Sequence, residues 1–459
     1  MAEGRLFLVG IGPGDREQMS ERARQAIAAA DVVVGYRGYL ALIADLLAGK
    51  EVVAMGMTEE LERVAAAYER AGQGRTVALI SSGDVGIYGM AGPAYEWLLA
   101  AGWRAGRGPA VEVVPGITAL SACAALVGAP LSHDFCAVSL SDLLTPWPVI
   151  ARRLDAAARA DFVLALYNPK SRRRQGQIVA AQRILLRHRD PLTPVAIVES
   201  AYRAGHAVRH VPLAEMAASE MGMLATVLVG NSQTRWRDGL MVTPRGYAEK
   251  YRGPGGAVRP GEVRGHSLRC GLTGWQADLQ RECEEPTPSL AVVAERHAVP
   301  LGEVLAALVE APTGEAPAAF RAVRVREGAE TELLMAAHTW GRIRLTLRVP
   351  GGAAAELRLD AAELIVGDAC LAAARDGLDL RVPRRSTQRL WLVRGGRELR
   401  GLHLVDATGD CVCELALEPR GAEAAALAVR RFDEAWRRFG EDPRQAGQSD
   451  RGRHPLGVV

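Results

Sequence analysis

Short, almost uninterrupted apolar runs recur through the first 230 residues, each ending in glycine, proline or small polar residues. They are Arg5-Leu-Phe-Leu-Val-Gly10, Asp31-Val-Val-Val-Gly35, Thr76-Val-Ala-Leu-Ile-Ser81, Val111-Glu-Val-Val114, Phe162-Val-Leu-Ala-Leu-Tyr167, Pro194-Val-Ala-Ile-Val198 and Thr226-Val-Leu-Val-Gly230. Runs this short, with no polar alternation, read as strands covered on both faces. Helical stretches lie between them, and Ser20 is placed to N-cap one over about 21–30. The pattern predicts an α/β fold over residues 5–250, with mostly parallel sheets buried between helices.

Beyond that the composition shifts. Arg252-Gly-Pro-Gly-Gly-Ala-Val-Arg-Pro-Gly261 reads as the core of a linker. Two short helices, Ser289–His297 and Leu301–Glu310, join at Val299-Pro300. Arg342-Ile-Arg-Leu-Thr-Leu-Arg348 alternates as a half-buried antiparallel strand does. Leu402-His-Leu-Val405 and Cys411-Val-Cys-Glu-Leu-Ala-Leu417 flank a turn as a hairpin, and a last helix covers about 421–439. The expected organisation is therefore an α/β domain over 1–118, a second over 119–250, a linker over 251–284, an α+β domain over 285–440 and a polar tail over 441–459.

Composition excludes several classes. With 49% hydrophobic and 24% charged residues, the chain is neither disordered nor fibrous. No run of about 18 apolar residues predicts a membrane span. Met1-Ala-Glu-Gly-Arg-Leu leads straight into a strand rather than a signal peptide, and seven cysteines make no disulfide framework. A cytoplasmic protein with reduced thiols is expected. A net charge of +3 and 5% aromatic residues argue against nucleic acid as a partner. Only Lys50, Lys170 and Lys250 are lysines, so Arg supplies 53 of the 56 basic residues. A GC-rich coding bias accounts for that; bidentate recognition of carboxylates is the functional alternative.

Three glycine-bearing loops carry the chemistry. Gly10-Ile-Gly12-Pro-Gly14-Asp15 follows the first strand. It does not have dinucleotide-binding spacing, and Asp15 would repel a pyrophosphate. A cationic ligand without phosphate tolerates that carboxylate, and S-adenosylmethionine (SAM) is one. Ser81-Ser-Gly-Asp-Val-Gly-Ile-Tyr-Gly89 and Val114-Pro-Gly-Ile-Thr-Ala119 end two more strands. In the second loop, Asp84 can accept hydrogen bonds or compensate a sulfonium. Loops at the carboxyl ends of strands in an open α/β sheet line one ligand crevice.

With these segments in view, residues 5–250 are identified as resembling the tetrapyrrole methylase family, which methylates precorrins and related macrocycles with SAM. The resemblance rests on Val9-Gly-Ile-Gly-Pro-Gly-Asp15, Ser82-Gly-Asp-Val-Gly-Ile-Tyr-Gly89, Val114-Pro-Gly-Ile-Thr-Ala119 and Ala225-Thr-Val-Leu-Val-Gly230. Ser139-Leu-Ser-Asp-Leu-Leu-Thr-Pro-Trp147 and Leu166-Tyr-Asn-Pro-Lys-Ser171 are similar to the precorrin-3B C17-methyltransferase branch, the ring-contracting step of cobalamin synthesis. Val85 departs from the pattern, where proline is frequent. The resemblance implies a two-domain homodimer with the active site in the cleft between the domains. It also implies a folded SAM held by Pro13, Gly83, Asp84, Ile87, Thr118, Ala119, Tyr167, Ala225 and Thr226. For Ile87 and Ala225 core packing is the alternative.

Methyl transfer from a sulfonium expels a neutral thioether, so alignment matters more than acid catalysis. Ring contraction moves protons and calls for an acid or base. Asp15, Asp84 and Asp142 are the candidates, with Asp142 or Asp15 the one expected to face the macrocycle and N-capping of the next turn the alternative for Asp142. The substrate is a polycarboxylate, so Arg37, Asn168 and the run Arg172-Arg-Arg174 are candidates to hold it. A solvated basic helix start is the other reading of that run. No resident metal is expected for the methylase. The order of elements over 285–440, with Ser289-Leu-Ala-Val-Val-Ala-Glu-Arg-His297, Trp340-Gly341 and Leu404-Val-Asp-Ala-Thr-Gly409, is similar to haem-carrier and haem-utilisation proteins. That resemblance implies a tetrapyrrole-holding platform. His338 and His403 are metal-ligand candidates there, against ordinary core or surface histidines. Cys270, Cys283, Cys370, Cys411 and Cys413 include no C-x-x-C pair, although some ring-contracting relatives carry an iron–sulfur extension.

Overall fold

A computed structural model describes residues 4–171, 174–253, 255–284, 289–309, 320–349, 353–375, 378–383, 389–395 and 399–441. The chain divides into two units, Met1–Tyr247 and Ala248–Val459.

The first unit begins with a five-stranded sheet. Its strands are β1 (Arg5–Gly10), β2 (Val32–Tyr36), β3 (Glu51–Met55), β4 (Thr76–Ser81) and β5 (Ala110–Val114), in the order β3-β2-β4-β1-β5. Every pairing is parallel, as expected. Period-two alternation sends Leu6 and Leu8 of β1 to one face and Phe7 and Val9 to the other. Helices α1 (Glu21–Ala29), α3 (Glu60–Gly72) and α4 (Ala91–Ala100) bury both faces; α2 (Arg37–Leu40) is a single turn after β2. Ser20 caps α1 as predicted, its Oγ accepting from the Ala23 N–H at 3.1 Å. Val85 is fully buried in the cluster formed with α3 and α4. An aliphatic side chain there fills core volume, which accounts for the absence of proline.

The second sheet contains β7 (Phe135–Ser139), β8 (Val163–Tyr167), β9 (Pro194–Glu199), β10 (Ala207–Pro212) and β11 (Ala225–Val229), in the order β10-β9-β11-β8-β7. Only β7 and β8 pair in parallel; β11 inserts antiparallel between β8 and β9, and β10 returns antiparallel along β9. The expectation of mostly parallel sheets thus holds for the first sheet and is corrected for the second. A continuous apolar run reports burial on two faces, and a central antiparallel strand is buried as completely. Helices α6 (Trp147–Arg159) and α7 (Gly176–Leu185) cover one face and α5 (Ala119–Val127) the other. A two-residue strand, β6 (Gly128–Ala129), pairs with Leu240–Val242 in a small separate sheet.

In the second unit the linker expected through 284 is replaced by a helix, Leu272–Glu284. Its Leu279 and Cys283, each 1% exposed, pack with helices Leu290–Arg296 and Leu301–Val309. A six-stranded antiparallel sheet follows, in the order Arg321–Arg324, Arg389–Gly395, Leu399–Val405, Cys411–Leu417, Arg342–Arg348, Ala354–Asp360. The predicted alternating strand and hairpin are both present. The helices before the sheet cover one part of it, and the final helix Ala422–Phe439 packs on its opposite face. Residues two apart on a regular strand share a face, but the pairing shifts register between Leu404 and Val405, and Cys411 and Cys413 join different clusters, so their Cys-x-Cys spacing does not bring the thiols together as a chelate. Burial pushes the Cys411 thiol up to about 12. His403 is 4% exposed, with Nδ1 3.8 Å from Cys411 Sγ; among the described residues its Nε2 has no hydrogen-bond partner. Among the described residues, no three His, Cys, Asp or Glu side chains gather as a metal site would require, so His338 and His403 are not part of such a group. Among them, too, no helix is long and apolar enough to cross a membrane.

Candidate active site

The site is built where β1, β4 and β5 release their chains side by side. Gly12 and Gly83 form a two-way backbone bridge: the Gly12 N–H donates to the Gly83 carbonyl at 3.1 Å, and the Gly83 N–H to the Gly12 carbonyl at 2.8 Å. Asp84 joins the other pair of loops. Its Oδ1 accepts from the Gly116 N–H at 2.9 Å and its Oδ2 from the Gly86 N–H at 2.8 Å. Of its two expected roles, hydrogen-bond acceptance is the one seen, and both oxygens are engaged.

The glycines do two different things. A Cβ on Gly116 would lie 2.3 Å from the Gly83 carbonyl oxygen, and one on Gly10 would lie 2.7 Å from the Gly116 nitrogen. These two let three backbones touch. Gly83 has φ +70°, and a Cβ there would meet nothing closer than the Ala119 nitrogen at 3.7 Å. Its positive φ, rather than crowding, is what requires glycine, and it sits at contact distance from the start of α5. Thr118, the N-cap of that helix, makes no side-chain capping bond, so the first-turn N–H groups receive nothing from it. Backbone carbonyls and first-turn N–H groups gathered at this turn suit a polar ligand such as SAM.

The second sheet supplies the opposite wall. The Tyr167 hydroxyl, at the end of β8, lies 2.6 Å from Thr118 Oγ1 and accepts from the Leu120 N–H at 2.9 Å. Burial raises its pKa, against the lowering effect of these bonds. Tyr88, held at φ +53°, tilts over Tyr167 with ring centroids 4.9 Å apart and donates its hydroxyl to the Ala137 carbonyl at 3.1 Å. Asn168, at φ +51°, donates from Nδ2 to Ser139 Oγ at 3.0 Å. The two stretches that suggested the C17 branch therefore meet. Arg174 reaches the Leu140 and Asn168 carbonyls, each at 3.4 Å.

The remaining expected residues divide. Pro13 is buried beside the Gly12 bridge. Ala119 opens α5, while Ala225 and Thr226 begin β11, 3% and 4% exposed. Packing in the sheet core is what Ala225 shows, whereas Ile87 is 39% exposed, so core packing is ruled out for it. Asp15 is exposed and caps the turn Arg16–Gln18, accepting from the Glu17 N–H at 3.0 Å. Asp142 is exposed and accepts from Gln177 Nε2 at 2.8 Å; the N-cap of the next helix is Pro146. Arg37 is exposed at the end of β2. Arg172 and Arg173 lie outside the described residues. Sequence reasoning missed Arg203, which lies in the β9–β10 turn and donates from Nε to the Pro13 carbonyl and from Nη2 to Ser82 Oγ. Its signal was Ser200-Ala-Tyr-Arg203, a polar turn at the end of a buried strand.

A parallel sheet with three joined glycine loops, faced by tyrosine and asparagine from a second sheet, defines a class. Residues 5–217 match Tetrapyrrole (Corrin/Porphyrin) Methylases, and the chain belongs to that family. It is 53% identical over 249 residues to the Cobalt-factor III methyltransferase of Priestia megaterium, covering 54% of this chain and 46% of that one, so it spans about half that relative's length. It is 42% identical over 256 residues to the Precorrin-3B C(17)-methyltransferase of a Sinorhizobium species, covering 53% of this chain and 98% of that one. Among solved structures, the methyltransferase CobJ superposes with a TM-score of 0.50 at 37% identity, covering 52% of this chain and all of that one.

Proposed function

We propose that this chain is a SAM-dependent methyltransferase of corrin biosynthesis, methylating C17 of precorrin-3B with contraction of the ring to precorrin-4. The observation that carries the reading is the meeting of the three loops with Ser139, Tyr167 and Asn168 in one cleft of the first unit. The names of two relatives sharing about half of the chain support it.

In this reading the donor lies beside Gly83, against Pro13, Asp84, Ile87, Thr118 and Ala119, with Tyr167, Ala225 and Thr226 on the far side. The donor supplies a methyl group on a sulfonium. The macrocycle carbon gives the electron pair of the new C–C bond, and the C–S bond breaks to a neutral thioether. The protein's part is alignment, which can supply about 7–11 kcal/mol. Asp84 holds two loops in register beside the sulfonium. Contraction needs proton movement, worth about 10²–10⁴ in rate. The solvent-facing carboxylates Asp15 and Asp142 are assigned to that step. Arg37, Asn168 and Arg172 are assigned to the substrate's rim carboxylates.

A second reading, with cobalt already in the macrocycle, is favoured by the name of the Priestia relative. Incubation with labelled SAM and either precorrin-3B or its cobalt-containing counterpart, followed by mass analysis, separates them. One added methyl group on either macrocycle supports the reading, and the faster one names the substrate. No methyl gain on both overturns it. We take the working form to be a homodimer in the cytoplasm, and the second unit to hold a tetrapyrrole; sedimentation and titration of the full chain with haem or a corrinoid test these.

A further inference from the structure

Arg203, like the buried Arg189, which donates to the Gly230 and Phe162 carbonyls, has neutral oxygens for partners, but of the two it is the one set against the glycine loops. It is half-buried, and burial lowers its pKa. Its guanidinium donates to two neutral acceptors, the Pro13 carbonyl and Ser82 Oγ, one from each of two glycine loops. It forms no ion pair with a carboxylate among the described residues. The titratable group that acts on it is the phenol of Tyr39, itself kept protonated by burial. The position is built for it: a Cβ on Gly14 would lie 2.6 Å from Arg203 Cγ and 2.9 Å from Nε. Gly14 therefore has no side chain where the arginine stem crosses it.

A guanidinium has five N–H donors and a permanent charge. Holding that charge partly out of water without a counter-ion is unfavourable. Neutral oxygens satisfy donors but do not neutralise charge. A fork already fixed by two bonds loses little freedom when it takes up a carboxylate in two-point contact.

We infer that Arg203 is a carboxylate-recognising residue of the cleft, its missing counter-ion being supplied by a bound reactant. The inference rests on the reading above, in which both reactants carry carboxylates: the donor on its amino-acid arm and the macrocycle on its rim. The shared chemistry is a carboxylate, and the test separates the two sources.

The full-length chain and its Arg203→Met and Arg203→Lys variants are compared in two arms. In the first, calorimetry measures S-adenosylhomocysteine against its decarboxylated analogue, which keeps the amine. If the donor supplies the carboxylate, wild type prefers the former by about tenfold or more, and Arg203→Met brings the two within about twofold. In the second, KM is measured for the macrocycle as free acid and with its carboxylates esterified. If the macrocycle supplies it, Arg203→Met raises KM about tenfold for the free acid only. In either arm Arg203→Lys, which keeps the charge and guards against a misfolded Met variant, falls between. Preferences unchanged by both substitutions in both arms overturn the inference. A wild-type chain that binds no S-adenosylhomocysteine and transfers no methyl group overturns the proposed function first, which keeps the two failures distinct.

Discussion

The Tyr167 hydroxyl and Thr118 Oγ1 lie 2.6 Å apart, 49 positions from one another in the chain. The same hydroxyl accepts from the Leu120 N–H. One phenol at the end of β8 thus replaces the cap that Thr118 does not provide for α5, and ties the helix start to the second sheet. Tyr167→Phe removes that oxygen and leaves two polar groups short of a partner. We expect a loss of about 1–3 kcal/mol in urea unfolding, with weaker S-adenosylhomocysteine binding. Unchanged stability and unchanged affinity would show that the bonds carry no weight.

Two glycine substitutions separate packing from conformational freedom. In Gly116→Ala the new methyl meets the Gly83 carbonyl oxygen and the Gly10 backbone, neither of which bends aside. The loops must part, and a displacement of order 1 Å costs about 10²-fold in turnover. Gly92→Ala, in α4, meets nothing within 4 Å and serves as the comparison. There we expect full turnover and a stability gain of up to about 1 kcal/mol. Circular dichroism and steady-state kinetics on both variants give the answer, and equal turnover would contradict the close packing.

Asp15→Asn and Asp142→Asn keep an acceptor oxygen for the Glu17 N–H and for Gln177, so their melting temperatures should stay close to wild type. A rate loss of about 10²–10⁴ with retained donor binding would then report the missing carboxylate rather than lost structure. Full turnover in both variants would remove both residues from the mechanism.

His403 makes the second unit sensitive to acid. Burial lowers its folded-state pKa below the ordinary value, so the unfolded chain takes up a proton at a higher pH than the folded one does. The unfolded state then binds more protons, and stability falls as pH drops below about 6.5, by about 1.4 kcal/mol per unit until the folded pKa is reached. Above that window the term vanishes. His403→Gln should flatten the difference in urea midpoint between pH 7.5 and pH 5.5. An equally steep dependence in the variant would assign it to other groups.

Much of this fold was legible from residue order. The buried strands of the first sheet, the Ser20 cap and the second unit's hairpin are all present where local pattern put them. What stayed hidden has physical causes. Glu51–Met55 carries the apolar run Val52-Val-Ala-Met55 but is an edge strand that stays largely exposed, so it lacks the two-sided burial that such runs report elsewhere. The direction of Ala225–Val229 leaves no trace in a strand buried on both sides. Leu272–Glu284 follows a glycine- and proline-rich stretch that masked a helix anchored by only two fully buried side chains, Leu279 and Cys283. At the site, the glycine loops were readable because backbone crowding needs particular residues. Arg203 was not, because its partners are a carbonyl and a hydroxyl that any sequence offers.

The contact from Arg203 to the Pro13 carbonyl joins positions 190 apart. During synthesis, the first glycine loop therefore emerges long before the guanidinium that locks it. The parallel sheet has its five strands by Val114, but its first glycine loop stays unlatched until the second sheet is nearly complete. Competence to bind should accordingly arrive late and all at once, so a nascent or prematurely terminated chain would not sequester the methyl donor.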